Sequence, residues 1–181
     1  MRALTPLVPL IAALSVSMTA PASAQETKRS VNQMVRTVVL DLCPSLMRIE
    51  TPLGEERGVQ ELGPLKVTER THGRFGKLDI ALVEGQDGEI AIANSRNVSF
   101  CQVTFQDGAS DDLMDDLIKG ANLLDPSLAL DEDETVTSAT YNVTTFRSPS
   151  TDGWFFGIQF ISVTGGPDGS AQIIQQYLLE D

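Results

Sequence analysis

This chain has few of the residues that usually carry out chemistry. Its 181 residues include one histidine, two cysteines and one tryptophan, and aromatic side chains make up only 6%. The lone histidine, His72, lies in Thr71-His72-Gly73-Arg74-Phe75-Gly76-Lys77. No Gly-x-Ser-x-Gly elbow accompanies it, so it has no serine nucleophile to serve. The same stretch departs from a phosphate-binding loop, with Thr71 where the first glycine belongs and Leu78 where serine or threonine belongs. It reads as a glycine-rich turn between strands. No Cys-x-x-Cys spacing is present to activate a thiol. A single cysteine pair with one histidine is too few ligands for a shared metal site, and the EF-hand spacing is missing. The sequence therefore calls for no metal and no cofactor.

Long apolar runs are also scarce. Arg2 gives a short positive start, Leu7 to Val16 an apolar stretch broken by Pro9, and Ala22-Ser23-Ala24 a small-residue exit. That order is a secretory signal peptide over residues 1–24, cut after Ala24. Its apolar part is far short of the roughly 20 residues that cross a bilayer, and no later stretch does better, so no membrane span is expected. With no cysteine near the cut, a lipid anchor is not expected either. The expected product is exported, periplasmic or extracellular, with residues 25–181 forming a single α+β domain large enough for a real core. In a eukaryotic secretory route, Asn97-Val98-Ser99 and Asn142-Val143-Thr144 would be glycosylation acceptors. In an oxidising compartment, Cys43 and Cys101 are expected to bridge.

Positive charge is the third shortage. The chain holds 13 Lys and Arg against 25 Asp and Glu. Loss of Arg2 leaves 12 basic against 25 acidic side chains, a net charge of −13. The imbalance is local. Residues 25–106 carry 11 acids and 10 bases, whereas residues 107–134 carry ten acids and only Lys119. Such a field repels phosphate backbones and anionic lipids, so nucleic acid is excluded as a partner, and a basic protein or cationic ligand is favoured.

The pattern of what is present predicts order helix, strands, helix, strands. Ser30 and Gln33 fit a capping box, and Val31, Met34, Val35, Val38 and Leu42 follow at helical spacing. This predicts a helix over 31–43, stopped by Pro44. Strand candidates follow at 65–69, 78–83, 90–93 and 98–105, with Asp87-Gly88 as a hairpin turn. A second helix is expected over 111–123, with Ser110 as N-cap. Its apolar stripe is Leu113, Met114, Leu117, Ile118 and Ala121, and its outer face carries Asp111, Asp112, Asp115 and Asp116. Strands are then expected at 135–146, 154–163 and 171–178. The last of these also fits helical spacing but reads better as the hairpin partner of its predecessor. The expected architecture is one antiparallel sheet of six or seven strands, two helices on one face and a disulfide. Read loosely, the order is helix-then-meander twice, without residue-level self-similarity.

The expected function is non-covalent binding, as an accessory, adaptor or inhibitor. One candidate surface is acidic: Asp111, Asp112, Asp115 and Asp116 together with Asp131, Glu132, Asp133 and Glu134. Lys66, Arg70, Arg74 and Lys77 form a smaller basic stretch able to pair with it within the fold or across a dimer. The other candidate is aromatic. Seven of the ten aromatic residues lie at or after Tyr141, and alternation puts Trp154, Phe156 and Phe160 on one face of their strand. Two alternatives come from other classes. One is a hydrolase built on Asp79, the only carboxylate set among apolar strand neighbours. The other is a structural envelope component or homodimer subunit.

Overall fold

Ser30 opens the first helix as its spacing to Gln33 predicts: its hydroxyl accepts from the Gln33 amide, and the Gln33 side chain reaches back to the Ser30 N–H. The structure is a computed structural model that describes residues 28–48, 52–95, 97–106, 111–163 and 170–179. The leader expected over 1–24 and the N-cap expected at Ser110 lie outside these residues. Helix α1 (Val31–Thr37) runs without a break into a π segment (Val38–Leu42) and then α2 (Cys43–Leu46). The helix therefore does not stop at Pro44, contrary to expectation. In the π register, the Cys43 N–H bonds the Val38 carbonyl five residues back. The next bond would need an N–H that proline lacks. Pro44 thus removes one backbone partner and leaves the helical path intact.

A short 3₁₀ turn (Leu53–Glu55) and α3 (Arg57–Gln60) lead into the first meander: β1 (Leu65–His72), β2 (Gly76–Glu84), β3 (Glu89–Ser95) and β4 (Phe100–Gln106). Helix α4 (Asp111–Leu124) follows. The second half holds β5 (Ala129–Leu130), β6 (Val136–Thr137), β7 (Tyr141–Arg147), β8 (Trp154–Val163) and β9 (Ser170–Leu179). All pairings are antiparallel, in the order β1-β2-β3-β4-β9-β8-β7-β5, with β6 also on β7. Each half is a helix followed by a meander, and the last strands of the two, β4 and β9, meet at the centre. The strand expected over 171–178 is the strand β9.

The expected class holds coarsely: mostly antiparallel sheet, sparse helix, one disulfide. Among the described residues, nine strands replace the six or seven expected. The main reason lies in Thr135 to Phe146, which reads as one alternating run but folds back on itself. The Ser138 hydroxyl accepts from the Thr140 and Tyr141 amides, and Ser138 N–H bonds the Tyr141 carbonyl. This serine turn splits the run into β6 and β7. The two-residue β5 carries no alternation from which to read it.

The core lies between the helices and one face of the sheet. Register aligns Ala81, Ile92, Val103, Ile173 and Phe160 in one inward row, and Val83, Ile90, Phe105 and Ala171 in the next. These join Met34, Val35, Val38 and Val39 from the first helical path, and Leu113, Leu117 and Ala121 from α4, in one buried cluster. Gly120 lets α4 approach the π segment closely, since a Cβ there would meet Leu40 Cδ1 at 2.7 Å. An Arg36–Asp116 ion pair ties α4 to α1 as well.

Candidate functional site

One inward row of the sheet is polar where its neighbours are apolar. Register aligns Asp79, Asn94, Cys101, Gln175 and Ile158 across β2, β3, β4, β9 and β8. Each of the first four engages the helical strap above it. Asp79 Oδ2 accepts from Leu53 N–H at 3.2 Å, so it caps the 3₁₀ turn. Asn94 Nδ2 donates to the Leu46 carbonyl at 3.4 Å, at the end of α2. Cys101 bonds Cys43, as expected from the sequence. Gln175 Nε2 donates to the Val39 carbonyl at 2.6 Å. That carbonyl is the one left without a helical partner by Pro44. Backbone groups orphaned where the helical path is interrupted are thus met from the sheet, which buried polar backbone requires.

Gln175 is 2% exposed, and its Oε1 is buried and has no hydrogen-bond partner among the described residues. A glutamine amide can accept two bonds at that oxygen. The donation to Val39 fixes which end of the amide is which, because turning it over would set two oxygens against each other. The residue lines a cleft of about 220 Å³ between the π segment and α2, α4, and strands β8 and β9. Val39, Met47, Ala121 and Ile158 are the buried apolar wall. Arg48, Leu124 and Tyr177 stand exposed at the mouth, with Asp125 half-buried beside them. Phe156 forms one side, its ring centroid 5.4 Å from that of Tyr177. A concavity walled by apolar and aromatic side chains has the usual composition of a small-molecule site. It is smaller than most.

No protein-family model matches the chain, and no curated protein or solved structure matches it either. The site has to be read from its own chemistry.

The residues singled out from the sequence fall in several places. Asp112 and Asp115 are exposed on α4 and Asp116 is half-buried against Arg36, while the side chain of Asp111 is outside the described set. Asp131 and Glu134 line a groove on the other face of the sheet, with Arg147, Gln159 and Gln176. The two acidic segments therefore flank opposite faces of the sheet. Asp131 is 3.6 Å from Arg147 Nε and accepts from Glu134 N–H, while Glu132 and Asp133 are exposed. Of the basic stretch, Lys77 pairs with Glu69 across the β1–β2 hairpin, and Arg74 lines the same groove as Asp131 and Glu134. The aromatic trio shares a face as alternation predicts, but in three settings: Phe160 in the core, Phe156 beside the cleft, Trp154 exposed at 48%. Asp79 is 5% exposed and does not line the cleft. His72 is exposed and stacks on Phe75. Asn97 is exposed, whereas Asn142 lies within β7 with its Oδ1 buried. Among the described residues, no group of three or more His, Cys, Asp or Glu is placed to hold a metal, and no helix is long and apolar enough to cross a membrane.

Sequence reasoning missed Gln175, although a signal existed. In the segment Ala171-Gln172-Ile173-Ile174-Gln175-Gln176, the positions 171, 173 and 175 share one face of a strand. A glutamine in phase with alanine and isoleucine is a polar group pointing where apolar side chains go. Asp79 stands in the same relation to Ala81 and Val83, and Asn94 to Ile90 and Ile92.

Proposed function

We propose that the chain is exported after loss of residues 1–24 and acts by non-covalent binding, holding a small ligand in the cleft beneath the helical strap. The observation that carries this reading is the cleft itself, about 220 Å³ walled by Val39, Met47, Ala121 and Ile158 with Phe156 and Tyr177 beside them. Gln175, the buried polar side chain in the lining, is an amide that neither takes up nor releases a proton, which suits recognition better than catalysis. The buried Asp79 carboxylate is occupied in holding Leu53, which disfavours hydrolysis at that residue. The Cys43–Cys101 bond fits an exported protein.

The test is a toluene titration of the oxidised protein, followed by methyl NMR. Val39, Met47, Leu124 and Ile158 methyl signals should shift together and saturate, and Ala121→Trp, which fills the cleft, should abolish the effect. Absence of saturable shifts in the folded wild type would overturn the reading. A second reading is electrostatic capture of a basic partner, supported by the exposure of Asp112, Asp115, Glu132 and Asp133. It predicts retention of polylysine at low salt, lost when these four are changed to lysine and lost above about 0.5 M salt, where screening acts within a few ångströms. Retention that survives both changes would eliminate it.

A further inference from the structure

We infer that the ligand of this cleft is a small zwitterion with an apolar side group, of the class of a free α-amino acid with an aromatic or branched side chain. The inference rests on the cleft-binding reading and specifies its chemistry. Three features define the class. The first is the division between floor and mouth. Val39, Met47, Ala121 and Ile158 wall the cleft with buried apolar surface. An ion taken in among them without a counter-charge would not recover its lost hydration. Charge on the ligand is therefore confined to the end that stays at the mouth.

The second is what stands at that mouth. Arg48 and Asp125 line the cleft with opposite charges, yet they do not pair with each other. Among the described residues neither has another ion-pair partner, whereas Lys28, Arg36, Arg57, Lys77 and Arg147 all do. Arg48 is exposed. Asp125 turns one oxygen to its own loop: Oδ1 accepts from the Ser127 N–H at 3.0 Å and from the Ser127 hydroxyl at 2.6 Å. Its Oδ2 accepts nothing among the described residues. Nor is that oxygen sealed, because the enclosed unpartnered side-chain atoms there are Asn94 Oδ1, Asn142 Oδ1 and Gln175 Oε1. Position adds to sign. Asp125 directly follows Leu124, the last residue of α4, so the negative end of that helix lies beside it, and no basic residue stands in the last turn. The Asp125 side of the mouth suits an ammonium, and the Arg48 side a carboxylate.

The third is size. A cavity of about 150 Å³ accepts benzene, so about 220 Å³ takes one ring or one branched aliphatic group and excludes the long chains of a zwitterionic lipid. Phe156, Tyr177 and the Met47 thioether line this space and favour a ring. The shortest molecule that presents both charges ahead of one such group is an α-amino acid.

L-Phenylalanine, phenethylamine, hydrocinnamate and toluene carry the same ring with both charges, the positive one, the negative one or none. Calorimetric titration of the oxidised wild type, Arg48→Gln and Asp125→Asn with each probe separates the charges. On the wild type, L-phenylalanine should bind at least about fivefold tighter than either singly charged probe. Arg48→Gln should weaken L-phenylalanine and hydrocinnamate by about that factor and leave phenethylamine within about twofold. Asp125→Asn should weaken L-phenylalanine and phenethylamine and spare hydrocinnamate. If L-phenylalanine binds no tighter than a singly charged probe, or if each substitution affects both of those probes alike, the zwitterion assignment is overturned while toluene binding leaves the cleft reading in place. Toluene without effect on the folded wild type would overturn the cleft reading and this inference with it. Should either variant not fold, the ranking of the four probes on the wild type decides.

Discussion

Pro44, Val39 and Gln175 form a chain of cause and compensation that no single position reveals. Proline removes the N–H that would have bonded Val39 five residues earlier, and a glutamine 136 residues away supplies the replacement. A double-mutant cycle tests this. Gln175→Met strands the Val39 carbonyl and should cost about 1–3 kcal/mol in denaturant unfolding. In a Pro44→Ala background the helix can supply its own donor, so the same substitution should cost at least 1 kcal/mol less. Additive costs would show that Pro44 does not create the need that Gln175 meets. From sequence, Pro44 reads as a helix stop because the local rule is sound for the α register. That rule fails here because the π segment has already changed which carbonyl each amide meets. Gln175 was legible in principle, through its phase with Ala171 and Ile173, but its partner lies too far along the chain for any local pattern to name.

The elements are held to one another by their ends. The β2–β3 turn closes on the start of α1: Asp87 Oδ1 accepts from Val31 N–H at 2.7 Å, and Gln86 N–H bonds the Arg29 carbonyl at 2.8 Å. Gly85 sits between them, where a Cβ would meet Met34 Cε at 2.5 Å, the Arg29 carbonyl oxygen at 2.9 Å and the Gly88 carbonyl oxygen at 3.1 Å. Backbone oxygens on two sides cannot swing away as a methionine tip can. Gly85→Ala should therefore destabilise by about 1–3 kcal/mol, measured by urea unfolding, and a change below 0.5 kcal/mol would mean that the turn is slack. The disulfide fastens the start of α2 to the central strand β4, across 58 residues of sequence. Replacing both cysteines with alanine should cost up to about 4 kcal/mol by the chain-entropy argument. At this scale the sequence was most readable. The capping box, the Asp-Gly hairpin, α4 and the strands β4, β8 and β9 all follow from local chemistry. The β6–β7 fold-back did not, because a serine turn carries no glycine or proline to announce it.

For the whole molecule, the central fact is the meeting of β4 and β9, which joins two meanders into one sheet and places Gln175 beside Cys101. Nothing local encodes that pairing. Strand composition says that both strands are buried, not that they are neighbours, and so neither the nine-stranded order nor the cleft beside it could be read in advance. Charge distribution was fully legible, yet the fold sends the two acidic segments to opposite faces of the sheet. Reversing Asp112 and Asp115 to lysine should accordingly leave toluene binding within twofold of wild type, and a larger effect would tie the acidic helix face to the cleft. The most direct measurement is a crystal structure of the oxidised protein under xenon pressure, since xenon settles in apolar cavities of this kind. A xenon atom is predicted among Val39, Met47 and Ile158, within the cleft that Gln175 lines. Side chains packed solidly through that volume, with no xenon there, would contradict the account.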